Sequence, residues 1–238
     1  MSEEKVTVDV VIPVYNEEGV LEESISTLVA FLHARCPYDW RVVIADNAST
    51  DRTLEVAKRL SERIPEVKFI HLGEKGRGRA LRRAWMESEA DVVSYMDVDL
   101  STNLEAFPPL IEALISSGYH LAIGSRLKRE SVITRQLKRE ILSRGYNLLI
   151  KLLFFNNFSD AQCGFKALTR QAARELVPLV KDQGWFFDTE LLLRAEQKGY
   201  EIFEVPVEWI EDLDTRVNIL QTSLDDLKGL IRVRFTRA

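Results

Sequence analysis

Cysteine is scarce in this chain of 238 residues, which contains only Cys36 and Cys163. The two thiols are far apart in the sequence, and neither belongs to a C-x-x-C pair or to a cluster of cysteine and histidine. This argues against a structural zinc site and against a disulfide framework. A reducing compartment is therefore the default expectation.

The sequence also lacks a basic charge excess and long apolar runs. Its 32 basic residues against 37 acidic ones give a formal net charge of −5, so we expect no nucleic acid among its partners. No apolar run approaches the roughly 20 residues that span a bilayer. The acidic start, MSEEKVTVDV, does not have the apolar core of a signal peptide. We therefore expect a cytoplasmic protein, either soluble or peripheral at the cytoplasmic face of a membrane.

Patterns typical of strands and helices alternate through the first half of the chain. VTVDVVIPVY, WRVVIAD, VKFIHLG, DVVSYMDVDL and YHLAIGSR are typical of buried strands, and helical patterns lie between them. This alternation predicts an α/β fold with a mostly parallel sheet flanked by helices. In the second half we predict a helix around DTELLLRAEQKG, a strand over YEIFEVPVEW, and a C-terminal amphipathic helix from about Val217 to Phe235. Without a repeat or a clear linker, residues 1–238 are predicted to form a single domain.

Polar residues follow four of the predicted strands. The strand ends read PVYNE (13–17), DNASTD (46–51), GEKGRGRAL (73–81) and DVD (97–99). The carboxyl ends of parallel strands share one edge of the sheet, where ligands bind in such folds. We therefore expect these polar groups to converge on one crevice.

The D-x-D segment of Asp97 and Asp99 has two interpretations. An extended D-x-D points both carboxylates the same way, and hard oxygen ligands suit Mg²⁺ or Mn²⁺. The alternative is an ordinary turn and helix cap, because Asp, Ser and Thr favour both places.

The next two segments are also ambiguous. DNASTD is a good helix cap, although Asp46 could instead accept a hydrogen bond from a nucleotide base. In KGRGRAL, Gly76 and Gly78 could let the backbone approach an anion at a helix N-terminus. With Asp97 about 20 residues further on, these glycines partly match a dinucleotide fingerprint. Leu81 occupies the place of the third small residue, so an NAD(P)-dependent oxidoreductase is a weak alternative.

A one-signed charge run occupies residues 126–151, which hold eight basic and two acidic residues. The basic residues are Arg126, Lys128, Arg129, Arg135, Lys138, Arg139, Arg144 and Lys151. The strongly apolar LLIKLLFF overlaps its end. Basic residues beside exposed apolar ones suit a surface that meets anionic lipid head groups. The alternative is a helix that completes the core.

Taken in order, the four strand-end motifs resemble the nucleotide-sugar domain of family 2 glycosyltransferases with the GT-A fold. The later segments SDAQCGFKALTR and FFDTELLLRAEQKGYEIFEVPVEW, with the closing basic helix, resemble the polyprenyl-phosphate (dolichyl-phosphate) glucosyl- and mannosyltransferases. The resemblance implies transfer of a hexose, with inversion, from UDP-glucose or GDP-mannose to a polyprenyl phosphate. It assigns residues 1–125 to a nucleotide-sugar half and residues 126–238 to an acceptor half.

The resemblance also implies roles for individual residues. The residues matching the nucleotide-sugar site are Pro13, Tyr15, Glu17, Asp46, Lys75, Gly76, Arg77, Asp97 and Val98. A bound Mg²⁺ or Mn²⁺ is implied on Asp97 and Asp99, with Ser101 at the position of a third ligand in mannosyl relatives. Arg126, Ser143 and Arg144 match the groups that hold the acceptor phosphate. An acidic residue near the reacting centre is implied at Asp188 or Glu190, and it could orient an arginine rather than take a proton.

The implied acceptor is a lipid, so a membrane surface is an expected partner. Many relatives have C-terminal transmembrane helices and this sequence has none, so we expect peripheral binding, a membrane-anchoring partner or a homo-oligomer. Other possibilities are a glycosyltransferase with a soluble or protein-linked acceptor, or a nucleotide-binding regulator without chemistry. DAQCGFK leans toward the glucosyl branch and hence toward UDP-glucose.

Overall fold

The computed structural model describes residues 5–134, 136–210 and 219–236, without the side chains of residues 138, 139 and 219–221. The strands are Thr7–Val14 (β1), Asp39–Asn47 (β2), Val67–Leu72 (β3), Val92–Met96 (β4), Leu121–Ser125 (β5), Val132–Thr134 (β6), Phe165–Thr169 (β7), Ile202–Pro206 (β8) and Glu208–Ile210 (β9). The α-helices are Leu21–Arg35 (α1), Thr53–Arg63 (α2), Arg77–Glu87 (α3), Phe107–Ile115 (α4), Leu137–Phe154 (α5), Arg170–Leu176 (α6), Phe187–Gln197 (α7) and Ile219–Phe235 (α8).

Seven strands form one sheet in the order β3-β2-β1-β4-β7-β5-β8. All neighbouring pairs are parallel except those that β7 makes with β4 and β5. The predicted α/β fold with a mostly parallel sheet is therefore confirmed. Since β7 and β8 pair with strands of the first half of the chain, residues 1–125 and 126–238 share this sheet.

Alternation along the strands gives the sheet two apolar faces. Val10 and Ile12 of β1 pack with α1, α2 and α4, whereas Val11 faces the opposite cluster with α3, α6, α7 and α8. Both faces of the central strands are covered, which explains why those strands have nearly continuous apolar sequences.

Two parts of the second half differ from the sequence prediction. Strand β7 was not predicted, because it is only five residues long and has Lys166 at its second position. YEIFEVPVEW was predicted as one strand, but it divides after Pro206 into β8, in the main sheet, and β9, which pairs with β6 in a separate two-stranded sheet. The predicted C-terminal helix is present as α8; residues 217 and 218, its predicted start, lie outside the described residues.

Candidate active site

The carboxyl ends of β1, β2 and β4 each lead into a tight turn. Each turn contains one non-glycine residue with positive φ, namely Asn16 (56°), Ala48 (60°) and Leu100 (51°). This left-handed conformation is uncommon outside glycine and clusters at sites where the chain must turn sharply. Since β3, β2, β1 and β4 are neighbouring parallel strands, the four strand-end motifs lie along one edge of the sheet.

The turns after β1 and β2 are tied together by hydrogen bonds. The backbone N–H of Asn16 donates to Ser49 Oγ at 2.9 Å, and its side-chain Oδ1 accepts from the N–H of Thr50 at 2.8 Å. The N–H of Glu17 donates to Thr53 Oγ1 at 2.7 Å. These bonds fix the segment that contains Pro13, Tyr15 and Glu17, all of which are partly exposed.

Two predicted nucleotide contacts meet at this edge. The Nζ atom of Lys75 lies 3.6 Å from the centre of the Tyr15 ring, which is a cation–π distance. The structure thus brings the turn after β3 against the turn after β1. Their contact with a nucleotide stays a prediction.

Asp46 lies at the carboxyl end of β2 and is held by neighbouring groups. It is fully buried, its Oδ2 lies 2.6 Å from Nδ1 of His71, and its Oδ1 accepts from the N–H of Ser49 at 3.3 Å. Both carboxylate oxygens therefore have a partner inside the protein, and the contact of Asp46 with a nucleotide base stays a prediction. The sequence showed a carboxylate at a strand end but not the histidine on the neighbouring strand.

The start of α3 is hydrogen-bonded to other segments of the protein, and the contact of Gly76 with a nucleotide sugar stays a prediction. The N–H groups of Gly78 and Arg79 donate to the carbonyls of Gly184 and Gln183, at 3.2 and 3.1 Å, and the N–H of Gly76 donates to Asn47 Oδ1 at 2.6 Å. These backbone donors are therefore not free to hold an anion.

The two glycines are needed for packing within the protein. A Cβ on Gly76 would lie 2.6 Å from the carbonyl oxygen of Gln183, and one on Gly78 would lie 2.6 Å from Cβ of Phe187. Gln183 lies in the segment before α7, and Phe187 is the first residue of α7. The glycines of KGRGR thus let α3 approach that segment closely.

Arg77, the first residue of α3, connects two of the predicted acids. Its Nη2 donates to Oδ1 of Asp97 at 2.6 Å, and its Nη1 donates to Oδ2 of Asp188. Burial opposes the charged form, but the neighbouring Tyr95, Asp97 and Asp188 raise the pKa of Arg77 well above its usual value. Arg77 is therefore a fixed cation beside the D-x-D segment.

Lys166 completes this charge network and was missed by the sequence analysis. Its fully buried Nζ lies 3.0 Å from Oδ1 of Asp188 and donates to the Cys163 carbonyl at 2.6 Å. Tyr95 also donates to Asp188. Although burial acts in the opposite direction, Lys166, Arg77 and Tyr95 lower the pKa of Asp188 below its usual value. Asp188 therefore stays ionised and orients cations.

The D-x-D pair has the chemistry of a divalent-cation site. Asp97 is partly exposed and Asp99 is exposed, and two carboxylates with substrate phosphate oxygens and water suit Mg²⁺ or Mn²⁺. A Cβ on Gly164 would overlap the Asp97 carboxylate, so the glycine at this position leaves room for that carboxylate. No group of three or more His, Cys, Asp or Glu residues able to hold a metal occurs among the described residues. The two carboxylates fit an ion that takes its other oxygen ligands from a phosphate group and from water.

The neighbours of the D-x-D pair support it in different ways. Ser101 donates its backbone N–H to Oδ1 of Asp99 at 2.9 Å, which orients that carboxylate. A metal bond from the Ser101 hydroxyl stays a prediction. The Val98 side chain is buried in the core, so only its backbone is left for the predicted nucleotide-sugar contact.

Arg126 follows β5 and is held by a buried carboxylate. Its Nε and Nη2 donate to the two oxygens of Asp160, at 2.8 and 3.0 Å, and its backbone N–H donates to Oδ2 at 3.0 Å. Despite burial, this arginine lowers the pKa of Asp160 to about 2. The Trp209 ring lies 5.4 Å from the guanidinium carbon. Arg126 is therefore oriented in advance, by a partner that the sequence did not reveal.

The other predicted acceptor residues are on α5. Ser143 Oγ is buried and has no hydrogen-bond partner among the described residues. Arg144 is exposed and pairs with Glu140, one turn earlier. The structure therefore leaves Arg144 on the outer face of α5, and its contact with the acceptor phosphate stays a prediction.

Glu190, the second acid considered near the reacting centre, has a different environment from Asp188. It is fully buried and pairs with Arg232 at 2.6 Å and Arg194 at 3.5 Å. It also accepts the N–H groups of Lys181 and Asp182. Glu190 therefore holds α8 and the segment before α7 in place, and of the two acids only Asp188 contacts Arg77.

Helices α5 and α8 expose many apolar side chains. The exposed ones on α5 are Leu137, Ile141, Leu142, Leu148, Leu149 and Leu152, with Phe155 just after it, and those on α8 are Leu224, Leu227, Ile231 and Phe235. Of the basic residues in 126–151, Arg135 and the side chains of Lys138 and Arg139 lie outside the described residues. Among the described helices, none has the length and apolar character needed to cross a membrane.

Comparison with known proteins gives the family. Residues 9–177 match the family described as glycosyl transferase family 2. The chain is 37% identical over 221 residues to glycosyltransferase AglD of Haloferax volcanii, a match covering 92% of this chain and 35% of AglD. It is 28% identical to the dolichyl-phosphate beta-glucosyltransferase of Saccharomyces cerevisiae, covering 98% of this chain and 75% of the relative. The chain thus spans about a third of AglD and about three quarters of the yeast enzyme.

Solved structures show the same fold. The structure of glucosyl-3-phosphoglycerate synthase from Mycobacterium tuberculosis in complex with UDP superposes with a TM-score of 0.75 at 20% identity, covering 98% of this chain and 82% of that one. Such a likeness confirms the GT-A fold. The match to a glycosyltransferase family makes the oxidoreductase alternative wrong.

Proposed function

The chain belongs to glycosyl transferase family 2, and from this membership we propose that it transfers glucose from UDP-glucose to a polyprenyl phosphate such as dolichyl phosphate. Relatives from yeast and mouse are dolichyl-phosphate beta-glucosyltransferases, and their matches cover 98% and 85% of this chain. The observation that carries the proposal is a D-x-D pair with two fixed arginines near it: Arg77 is bonded to Asp97, and Arg126, held by Asp160, is close enough to interact electrostatically with Asp97. The donor carries an anionic diphosphate and the acceptor an anionic phosphate, and these two groups would suit the two cations.

On the donor side, Asp97 and Asp99 would hold Mg²⁺ or Mn²⁺. The ion supplies Lewis-acid stabilisation of the diphosphate that leaves as the glycosidic bond breaks. Arg77 adds a second positive charge. Because its side chain is held in place, it does not have to reorient as the diphosphate leaves. Its bonds to Asp97 and Asp188 hold it next to the place where the negative charge develops.

On the acceptor side, the nucleophile is a phosphate oxygen that is already anionic at neutral pH. A general base is therefore not needed, and the task of the protein is to position the phosphate for attack with inversion. Arg126 is suited to this task because Asp160 fixes its Nε and Nη2, while a guanidinium has further donors for a phosphate. Asp188, whose pKa is lowered, is a poor base and serves by orienting Arg77.

The lipid part of the acceptor accounts for the exposed apolar residues of α5 and α8. Leucine and phenylalanine side chains beside Lys151 and Arg144 suit peripheral binding to the surface of an anionic bilayer. We propose that the enzyme works there, at the cytoplasmic face of the membrane. A soluble acceptor would give no role to this surface.

The test is transfer of labelled sugar from UDP-glucose and from GDP-mannose to a short polyprenyl phosphate, with Mn²⁺, Mg²⁺ or EDTA. We expect transfer from UDP-glucose, lost in EDTA and in Asp99→Ala. Transfer from GDP-mannose alone would overturn the donor assignment. Hydrolysis of the donor, or transfer to water-soluble phosphates but not to the lipid, would overturn the acceptor assignment.

A further inference from the structure

Asp226 is a buried carboxyl group that the mechanism above does not use. It lies on the inner side of α8 with only 4% of its surface exposed. Within the described part of the chain, its side chain has one hydrogen bond, from Nε2 of Gln162 at 3.3 Å to Oδ2, and no ion pair. The other buried acids of the crevice, Asp188 and Asp160, are matched by cations.

The partner of Asp226 lies between the two halves of the candidate active site. Gln162 is exposed and stands between Asp160, which holds Arg126, and Gly164, which packs against Asp97. Its N–H donates to Oδ1 of Asp160 at 3.1 Å. The short segment that contains Gln162 thus connects the Arg126 side of the site to the Asp97 side, and the Gln162 carboxamide links this segment to Asp226 on α8.

The position of Asp226 is set by close packing of α8. A Cβ on Gly229, three residues further on, would overlap the ring of Phe186, which directly precedes α7. Burial, and then the charges of Asp182, Asp225 and Asp188, raise the pKa of Asp226 to about 7. A carboxyl group kept in such surroundings without a cation costs stability, and such groups cluster at functional sites.

We propose that Asp226 and Gln162 bind hydroxyl groups of the hexose of the donor, and so help to select the sugar. This inference rests on the proposed function. A sugar is neutral and presents several O–H groups, each a donor and an acceptor. A carboxyl group beside a carboxamide offers matching acceptors and donors without adding a cation to a crevice whose other charges are balanced.

The test compares the binding of a nucleotide sugar with that of its nucleotide, by calorimetry with Mn²⁺ on the full chain. UDP-glucose is paired with UDP, and GDP-mannose with GDP. The variants are Asp226→Asn and Gln162→Ala, and Asp225→Asn is the matched control because Asp225 is exposed and adjacent. We expect the nucleotide sugar to bind about tenfold more weakly to both variants, a typical loss for one hydrogen bond. The nucleotide alone and the control should be unchanged.

Several results would overturn the inference. One is an equal loss of nucleotide and nucleotide sugar, as expected of a structural role. Others are no loss in Gln162→Ala, whose exposed side chain can be removed without unfolding, or a wild type that binds each nucleotide sugar no better than its nucleotide. If the sugar-specific loss appears but no lipid is glycosylated, this inference stands and the proposed acceptor fails. If the loss appears only with GDP-mannose, the proposed donor fails instead.

Discussion

Arg77 and Asp188 are paired across 111 residues of sequence, and the same guanidinium also holds Asp97. One cation thus joins the D-x-D segment at the end of β4 to the first turn of α7. Lys166, on the strand next to β4, contacts Asp188 from the other side. The donor side of the candidate site is therefore a charge-balanced network of two buried cations and two carboxylates.

Replacing Arg77 by alanine should remove the cation that pairs with Asp97 and Asp188. We propose that the same positive charge stabilises the leaving diphosphate. We expect kcat for sugar transfer to fall at least about 100-fold, the usual effect of losing one preorganised electrostatic donor. Because Asp188 loses one of its partners but keeps Lys166, and Asp97 is partly exposed, the free energy of unfolding should fall by about 2 kcal/mol. Initial rates and urea unfolding measure the two effects.

Arg79→Ala is the control for Arg77→Ala. Arg79 lies on the same helix and pairs with the exposed Glu74, so its removal should change the free energy of unfolding by less than about 1 kcal/mol. Equal kcat values in Arg77→Ala and wild type would contradict the role given to Arg77.

Gly164→Ala tests the place of Asp97 without touching a charged group. The added methyl would overlap the Asp97 carboxylate, and a displacement of about 1 Å at a reacting centre can cost about 100-fold in rate. We expect loss of transfer and weaker activation by Mn²⁺, measured by titrating the metal at fixed substrate. Gly73→Ala is the control, since a Cβ there meets no atom within 4 Å. Normal metal activation in Gly164→Ala would show that Asp97 is not a metal ligand.

The sequence predicted local features better than it predicted partners. Asp97, Asp99, Arg77 and Arg126 stand at strand ends or beside them, so motif and topology together were enough to bring them to one edge. The buried-strand patterns likewise gave the parallel part of the sheet. In both cases the information lies within a few neighbouring residues.

The missed features depend on distant pairing. Lys166 lies on β7, a short strand that is hard to recognise as buried because it contains this charged residue. It contacts Asp188 only because β7 inserts between β4 and β5. Asp160, in a polar turn, and Asp226, one of two adjacent aspartates on α8, have partners 34 and 64 residues away. Similarly, the sequence of KGRGR does not reveal that its glycines pack against Gln183 and Phe187, because these residues are more than 100 positions further along the chain.

Because the pKa of Asp226 is raised, we expect the stability of the protein to depend on pH. Burial and the nearby Asp182, Asp225 and Asp188 raise its pKa from 3.8 to about 7, so the folded protein keeps this proton to higher pH than the unfolded chain does. The stabilising effect of that proton is complete below pH 4 and is lost as the pH rises to about 7. Relative to Asp226→Asn, wild type should lose up to about 4 kcal/mol across this window, at about 1.4 kcal/mol per pKa unit.

Urea unfolding of both proteins at several pH values from 4 to 8 measures this effect. The neighbouring acids and Tyr146, which also senses the charge of Asp226, are the same in both proteins, so their titration cancels to first order. A constant difference between the two unfolding curves at all pH values would show that Asp226 has an ordinary pKa.

The exposed face of α5 predicts binding to lipid vesicles. Replacing Leu148 and Leu152 by glutamine removes two apolar contacts of about 2 kcal/mol each on full burial, so partitioning into anionic vesicles should fall at least about tenfold. Co-sedimentation measures it. Val20→Gln with Met86→Gln, two exposed apolar positions elsewhere, is the matched control. Equal losses in both double variants, or no vesicle binding by wild type, would contradict the peripheral membrane surface.

The central claim is that one crevice holds the donor diphosphate at the D-x-D pair and the acceptor phosphate at Arg126. It is tested most directly by the kinetics of Arg126→Gln with UDP-glucose and polyprenyl phosphate varied in turn. We predict a KM for polyprenyl phosphate at least about tenfold higher, since a charge-assisted phosphate contact is lost, with the KM for UDP-glucose unchanged. An unchanged KM for the lipid phosphate, or a rise confined to UDP-glucose, would contradict the account.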